Sequence, residues 1–274
     1  METLKPLLLS GFLFFSLGTH AQQILRDSAM TYFENQMKVY GLYSAQIQGS
    51  ADTALLIDPT QDEIWRERAI PYLKNGDFET WVKYINKAVE FNPKKWLPYR
   101  AFCRLVFMKD YDKALKDFEM AEKHNKNAIE YVMDHTYDFY KGLCYLETNR
   151  LDLAKKHFQK SVDYQLKERG EAWTHYVDLF YLGTVNRLMN DNSRALHYLD
   201  MTLKLYAQFP DANYYKALIL KSLNRPTEAL DHLFMAQKSM KQGYRMNEDN
   251  EIYANYPLQI SLFDVEKQIE TLKK

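Results

Sequence analysis

The chain is poor in conformational punctuation, with only nine glycines and eight prolines in 274 residues. So few breakers leave little room for hairpin-rich β structure, which needs Gly and Asn at every turn. Neither sign of charge is in excess: 36 Lys and Arg stand against 36 Asp and Glu. Nucleic-acid binding rests on a basic footprint that releases counterions, and none is visible at whole-chain level. Chemistry-bearing motifs are missing as well. There is no HExxH, no Cys/His cluster at zinc spacing, no phosphate-cradling glycine loop and no nucleophile elbow. Acidic pairs such as Asp62-Glu63 and Glu248-Asp249 read as solvated surface. No enzymatic activity, cofactor or metal is therefore expected.

Long apolar runs are confined to the start. Leu7 to Leu17 follows a weak positive charge at Lys5, and Thr19-His20-Ala21 supplies small residues for cleavage after Ala21. The run is shorter than the ~20 residues a membrane span needs. Residues 1–21 are thus expected to be a signal peptide of bacterial type, leaving an exported chain in the periplasm or outside the cell. Export would place Cys103 and Cys144 in an oxidising compartment. A disulfide is one reading; two small buried apolar side chains on neighbouring helices is the other.

What the chain has in quantity is aromatic side chains, 21 Tyr and 15 Phe, and an internal period. Trp65 and Tyr99 are 34 residues apart, as are Pro59 and Pro93. After each stretch comes a second helical run with apolar residues at i, i+4 and i+7: Trp81, Ile85, Ala88, then Ala114, Phe118, Ala121. Gly142 and Tyr145 precede Ala154, Phe158 and Ser161; Leu182 and Gly183 precede Ala195, Leu199 and Leu203; Ala217 and Leu220 precede Ala229, Leu233 and Ala236. The second-helix positions Trp81, Ala114, Ala154, Ala195 and Ala229 are spaced 33, 40, 41 and 34 residues apart. Between the helices lie Asn75-Gly76-Asp77, Lys109-Asp110, Asn149-Arg150, Asn190-Asp191-Asn192 and Asn224-Arg225-Pro226. Asn and Gly tolerate the left-handed conformation that ends a helix, and Asp caps the next one. Pro59, Pro93 and Pro210 are expected to stop second helices.

This pattern resembles the tetratricopeptide repeat, a 34-residue helix–turn–helix with Trp, Leu-Gly, Tyr, Ala, Phe, Ala and Pro at fixed spacing. Ile64 to Pro93 is the best match, although Trp81 stands where the family has Ala. The resemblance covers roughly residues 28–238. It implies an all-α, right-handed solenoid of antiparallel helix hairpins, about five to six units, with a concave groove lined by first helices and used for protein or peptide binding. The expected organisation is a degenerate hairpin over 22–60, units near 62–95, 96–126, 136–165, 173–210 and 211–238, and a polar segment with a capping helix over 239–274. Gly49-Ser50 inside the second helix of the degenerate hairpin weakens that unit. The lengthened linkers, Glu122 to His135 and Gln165 to Trp173, are either rim filler or part of a binding site.

In the family's geometry the groove would be lined by Arg66, Ile70 and Lys74, by Arg100, Arg104 and Phe107, and by Phe139, Tyr140 and Leu143. Phe180, Tyr181, Thr184, Arg187, Tyr214, Leu218 and Lys221 complete it. The set mixes basic and aromatic residues without a carboxylate, which suits an extended peptide or helix with acidic and apolar features. The alternative is that the aromatics are core and the arginines pair with neighbouring acids. His157, His197 and His232 recur in second helices and are expected to do ordinary surface work. The functional expectation is a non-enzymatic scaffold for a protein partner. Self-assembly, with homo-oligomers, or a small-ligand carrier or enzyme using the groove are the competing classes.

Overall fold

The computed structural model describes residues 7–124, 130–246 and 254–273. Among the described residues the chain forms thirteen α-helices, one two-stranded antiparallel ladder and one 3-10 turn. Consecutive helices pair as antiparallel hairpins, the architecture of a helical repeat. Two compact units are distinguished, Met1–Leu97 and Pro98–Lys274, and the division falls inside the fifth helix.

The first unit holds α1 (Leu7–Val39), α2 (Ala45–Ile57), α3 (Asp62–Lys74), α4 (Phe78–Phe91) and the beginning of α5 (Pro93–Val106). Helix α1 passes through the expected cleavage point at Ala21 without a break. Ala29 and Phe33 of α1 meet Ile47, Ala51 and Ala54 of α2 in one buried cluster. Gly49-Ser50 does not interrupt α2. Gly49 is exposed, and the Ser50 hydroxyl donates to the Gln46 carbonyl at 2.9 Å, within the helix's own hydrogen-bonding pattern. On α4, Trp81, Ile85 and Ala88 are fully buried, so the i, i+4, i+7 stripe is the face that packs on α3. No helix among the described residues is long and apolar enough to cross a membrane.

The second unit continues α5 and adds α6 (Tyr111–His124), β1 (Tyr131–Val132), β2 (His135–Thr136), α7 (Tyr137–Glu147) and α8 (Leu151–Arg169). A 3-10 turn (Glu171–Trp173), α9 (Tyr176–Leu188), α10 (Asn192–Leu205), α11 (Pro210–Ser222), α12 (Pro226–Lys241) and α13 (Leu262–Lys273) follow. Part of the first lengthened linker, 125–129, and part of the polar segment, 247–253, lie outside the described residues.

Each of the five inter-helix turns contains one left-handed residue: Gly76 (φ 78°), Lys109 (55°), Asn149 (55°), Asn190 (62°) and Asn224 (56°). Lys109 is the exception to the Asn/Gly rule, a side chain that ordinarily avoids this conformation. Asp77, Asp110 and Asp191 then accept from the backbone N–H three residues on, capping α4, α6 and α10. The close-approach logic also holds. A methyl group on Gly142 would come within 2.6 Å of the Phe158 ring, and one on Gly183 within 3.1 Å of Leu199 and 3.2 Å of the Ala195 carbonyl. Proline plays a different part from the one expected at one place. Pro59 and Pro93 directly follow the C-caps of α2 and α4, and Pro93 also opens α5, but Pro210 stands beyond the end of α10 and opens α11, where a missing N–H costs no intrahelical bond.

Both cysteines are buried and free. Helix α13 lies on α12, burying Val265 and Ile269 and joining Gln237 to Glu266 at 3.0 Å, so it closes the apolar face of the last hairpin.

Candidate functional site

The structure sorts the expected groove residues into three groups. The first is core. Phe139, Tyr140, Leu143, Phe180, Tyr181 and Thr184 are fully buried. Tyr140 stacks on Phe118 (5.8 Å, 4°) and Tyr181 on Phe158 (5.6 Å, 18°), so these rings are the filling between hairpins. Their place in an open partner-binding surface is corrected accordingly. Ile70, in the first unit, is buried too.

The second group is paired. Arg100 grips Asp117 of α6 in a fork, Nε to Oδ2 at 2.8 Å and Nη2 to Oδ1 at 2.7 Å, and Arg104 donates to the same Oδ2 at 2.6 Å. Both arginine side chains are only about a tenth exposed, at 11% and 12%. A groove without a carboxylate was the expectation; Asp117, buried on the facing helix, supplies one. Arg66 is ion-paired with Glu67 and lies 5.9 Å from the Trp96 ring centroid. Arg187 sits over the Tyr215 ring at 5.1 Å.

The third group is half-exposed: Lys74, Phe107, Tyr214, Leu218 and Lys221. Lys221 reaches Gln268 of α13 at 3.3 Å, so the chain's own C-terminal helix touches this end of the row.

What covers the buried tyrosines is also the chain itself. Residues 254–261, between α12 and α13, cross the row of first helices in chain order. Lys109, in the turn after α5, donates to the Asn255 carbonyl at 2.5 Å. Tyr181 of α9 donates to the Pro257 carbonyl at 2.6 Å. Tyr215 of α11 donates to the Leu258 carbonyl at 2.9 Å. The Ile260 N–H donates to Asp211 at the head of α11, at 2.9 Å. Every one of these bonds engages the backbone of the segment, which turns between Tyr256 and Gln259 with Leu258 left-handed (φ 60°), so the segment is held whatever its side chains. Sequence reasoning missed this strap, because backbone carbonyls leave no mark on residue type.

A second constellation was missed as well. His135 of β2, His175 at the head of α9 and Asp178 of α9 place one ligand-type atom each within 4.8 Å of one another. Asp178 is fully buried; His135 Nδ1 is hydrogen-bonded to its Oδ1, and Ser161 and Gln165 of α8 each donate to its Oδ2 at 2.6 Å. Burial alone pushes this carboxyl upward, but the charge and hydrogen bond of His135 outweigh it and hold the acid below its ordinary range. Burial, with His135 beside it, pushes His175 down to about 4. The signal in the sequence was the 40- and 41-residue spacing: the two extra stretches deliver His135 and the approach to His175. Of the repeat histidines, His197 does the surface work expected, whereas His157 and His232 are half-buried against buried partners. His157 pairs with Asp138 at 2.7 Å, His232 with Asn213 at 2.8 Å, and His197 is exposed.

The first unit has a cleft of about 340 Å³ between α1 and α3, lined by Met30, Phe33, Met37 and Ile64 with Glu34, Glu63 and Glu67 at its edge. None of the expected groove residues lies in it.

The tetratricopeptide-repeat family model matches residues 72–95, from the end of α3 through α4 to the start of α5, and residues 141–168 on the α7–α8 hairpin. No curated protein matches the chain. Solved structures share the fold at low identity. The Cut9 and Hcn1 hetero-tetramer of the APC/C superposes with a TM-score of 0.61 at 12% identity, covering 93% of this chain and 45% of that one. The chain thus spans less than half of that protein's length. The pilF protein of Pseudomonas aeruginosa superposes at 0.59 with 14% identity, covering 82% and 95%. PilW, described as a type IV pilus biogenesis factor, superposes at 0.59 with 16% identity, covering 85% and 98%.

Proposed function

We propose that this chain, a helical solenoid with two stretches that match the tetratricopeptide-repeat model, is a non-enzymatic scaffold that holds a protein partner by a peptide segment. The partner lies along the first helices of the second unit, where residues 254–261 now lie. Residues 1–21 direct the chain out of the cytoplasm, and the scaffold works in the cell envelope or outside the cell.

One observation carries the reading: Lys109, Tyr181, Tyr215 and Asp211 already hold a short stretch of polypeptide, turned between Tyr256 and Gln259, by its backbone. A row of side chains from several hairpins that grips a backbone is a peptide-binding device. The chain's own segment shows the stereochemistry a partner would have to match. A partner segment replaces it, so affinity for the partner is reduced by the stability of the strap.

The test compares residues 22–274 with the variant Ile260→Ala, which loosens the strap by truncating one of its buried side chains and leaves Lys109, Tyr181, Tyr215 and Asp211 in place. Charge reversal at Arg100 and Arg104 is unsuitable, because it would set two acids against the buried Asp117. Truncating this buried side chain weakens the strap by about 2 kcal/mol or more. Crosslinking capture from the native host's envelope fraction should therefore recover the same partner at least tenfold more efficiently with the variant. Equal recovery by both chains would move the partner away from this row, and no recovery by either would remove the scaffold reading. The same mass spectra read the N-terminus of the native chain, expected at Gln22; a native chain that keeps residues 1–21 would sink the export reading.

A further inference from the structure

We propose that His135, His175 and Asp178 form a binding site for one divalent transition-metal ion of the zinc class. Two imidazoles and one carboxylate are the donor set that zinc takes when a fourth position is left to water. The three residues come from separate pieces of chain: His135 from the ladder before α7, His175 and Asp178 from the first turn of α9. A plain 34-residue repeat has no need of the residues that bring them together. Both lengthened linkers end at this point.

The outer atoms of the ligands are already fixed. Ser161 and Gln165 hold Asp178 Oδ2, and the Gln165 carbonyl oxygen accepts the His175 backbone N–H at 2.8 Å. Thr136, next to His135, bonds the same Ser161 hydroxyl at 2.7 Å. The His135 ring is stacked on Phe139 at 3.9 Å and 15°, which sets its plane. Groups of this kind orient metal ligands in known sites. Access is provided on one side: the His175 side chain is 31% exposed, whereas His135 and Asp178 are buried. Solvent at His175 supplies both an entry path and the water ligand.

The geometry needs a modest adjustment. Ligand bonds of about 2.0–2.2 Å in a tetrahedron set ligand atoms roughly 3.3–3.5 Å apart. His175 Nδ1, 3.9 Å from Asp178 Oδ1, accepts the Val177 N–H at 3.3 Å, so ligation at this atom exchanges that cap bond for a bond to the ion. The hydrogen bond between His135 and Asp178 gives way to two bonds to the ion, with the imidazole proton on the nitrogen that faces away. Occupied, the site would staple the linker before α7 to the head of α9.

The experiment uses tag-free full chain stripped with a chelator. Cobalt(II) reports tetrahedral nitrogen and oxygen ligation through its visible absorption, and zinc(II) is titrated by calorimetry. His175→Asn is the informative variant, since Asn keeps the helix cap and removes one ligand. The wild type should take up one equivalent of either metal, and the variant should bind at least tenfold more weakly with an unchanged metal-free melting temperature. A second reading needs no variant: zinc should block acylation of His175 by diethyl pyrocarbonate, mapped by mass spectrometry, while exposed His124 and His197 stay reactive. Absence of a stoichiometric cobalt spectrum, equal affinity in His175→Asn, or acylation of His175 indifferent to zinc would each overturn the proposal.

Discussion

Two buried carboxylates stand at the heads of two neighbouring first helices, and their surroundings could hardly differ more. Asp178, in the first turn of α9, faces His135, Ser161 and Gln165 and stays ionised although it is fully buried. Asp211, in the first turn of α11, is equally buried and is met by backbone donors, the Ile260 N–H at 2.9 Å among them. Burial, offset only in part by those backbone donors, pushes it up to about 7. Asp138 in α7 belongs with Asp178: burial raises it, but His157 and Lys160 hold it down to about 2. The same residue type in the first turn of a first helix is thus a charged anchor where a side-chain network meets it and a near-neutral acceptor where a backbone strap meets it. What packs against the helix head fixes the charge of the carboxylate.

The largest effect is expected at Asp178. Asp178→Ala leaves Ser161, Gln165 and His135 buried without their acceptor and should cost about 3–5 kcal/mol in urea unfolding. A loss under about 1 kcal/mol would erase the distinction between the two helix heads. Next comes Asp211→Asn, which keeps an acceptor for Ile260 and removes the ionisable proton. Wild-type Asp211 binds its proton in the folded chain up to about pH 7 but in the unfolded chain only to about pH 4. Its contribution is therefore complete below pH 4 and is lost as the pH rises towards 7. The variant should match the wild type near pH 4 and exceed it by roughly 2–4 kcal/mol at pH 8; parallel pH–stability curves would refute the assignment. The smallest effect belongs to Asp138→Asn. Here the folded-state value is depressed, so the stabilisation is present above about pH 4 and disappears as the pH falls through about 2. Lys160 is more than half exposed, so screening limits the expected loss at pH 7 to about 1–2 kcal/mol. A loss that persisted at pH 2 would point to packing rather than charge.

The hairpins were legible because their rules are local. A left-handed turn residue, a small residue facing a large one and an i, i+4, i+7 stripe each leave a mark on residue type, as at Asn190, at Gly142 against Phe158 and at Trp81-Ile85-Ala88. The groove was legible only as a position. Tyr140 and Tyr181 do belong to the row of first helices, but whether a ring in that row meets solvent or polypeptide depends on residues far along the chain. Pro257 and Leu258 bind through carbonyl oxygens that every residue carries, so no reading of side chains finds them. Asp117 escaped notice because it comes from the facing helix, and the His135–His175–Asp178 set because 40 residues separate its histidines.

The strap has a bearing on how the second unit melts. In a stack of hairpins each layer touches only the next, so stability is a sum of neighbour terms and the ends fray independently. Residues 255–260 break that one-dimensional rule, because one short stretch is bonded to Lys109, Tyr181, Tyr215 and Asp211 on hairpins that are not all adjacent. A linear array becomes a closed circuit. Opening any hairpin along it releases the stretch from the others, so that these hairpins are expected to unfold as one cooperative block.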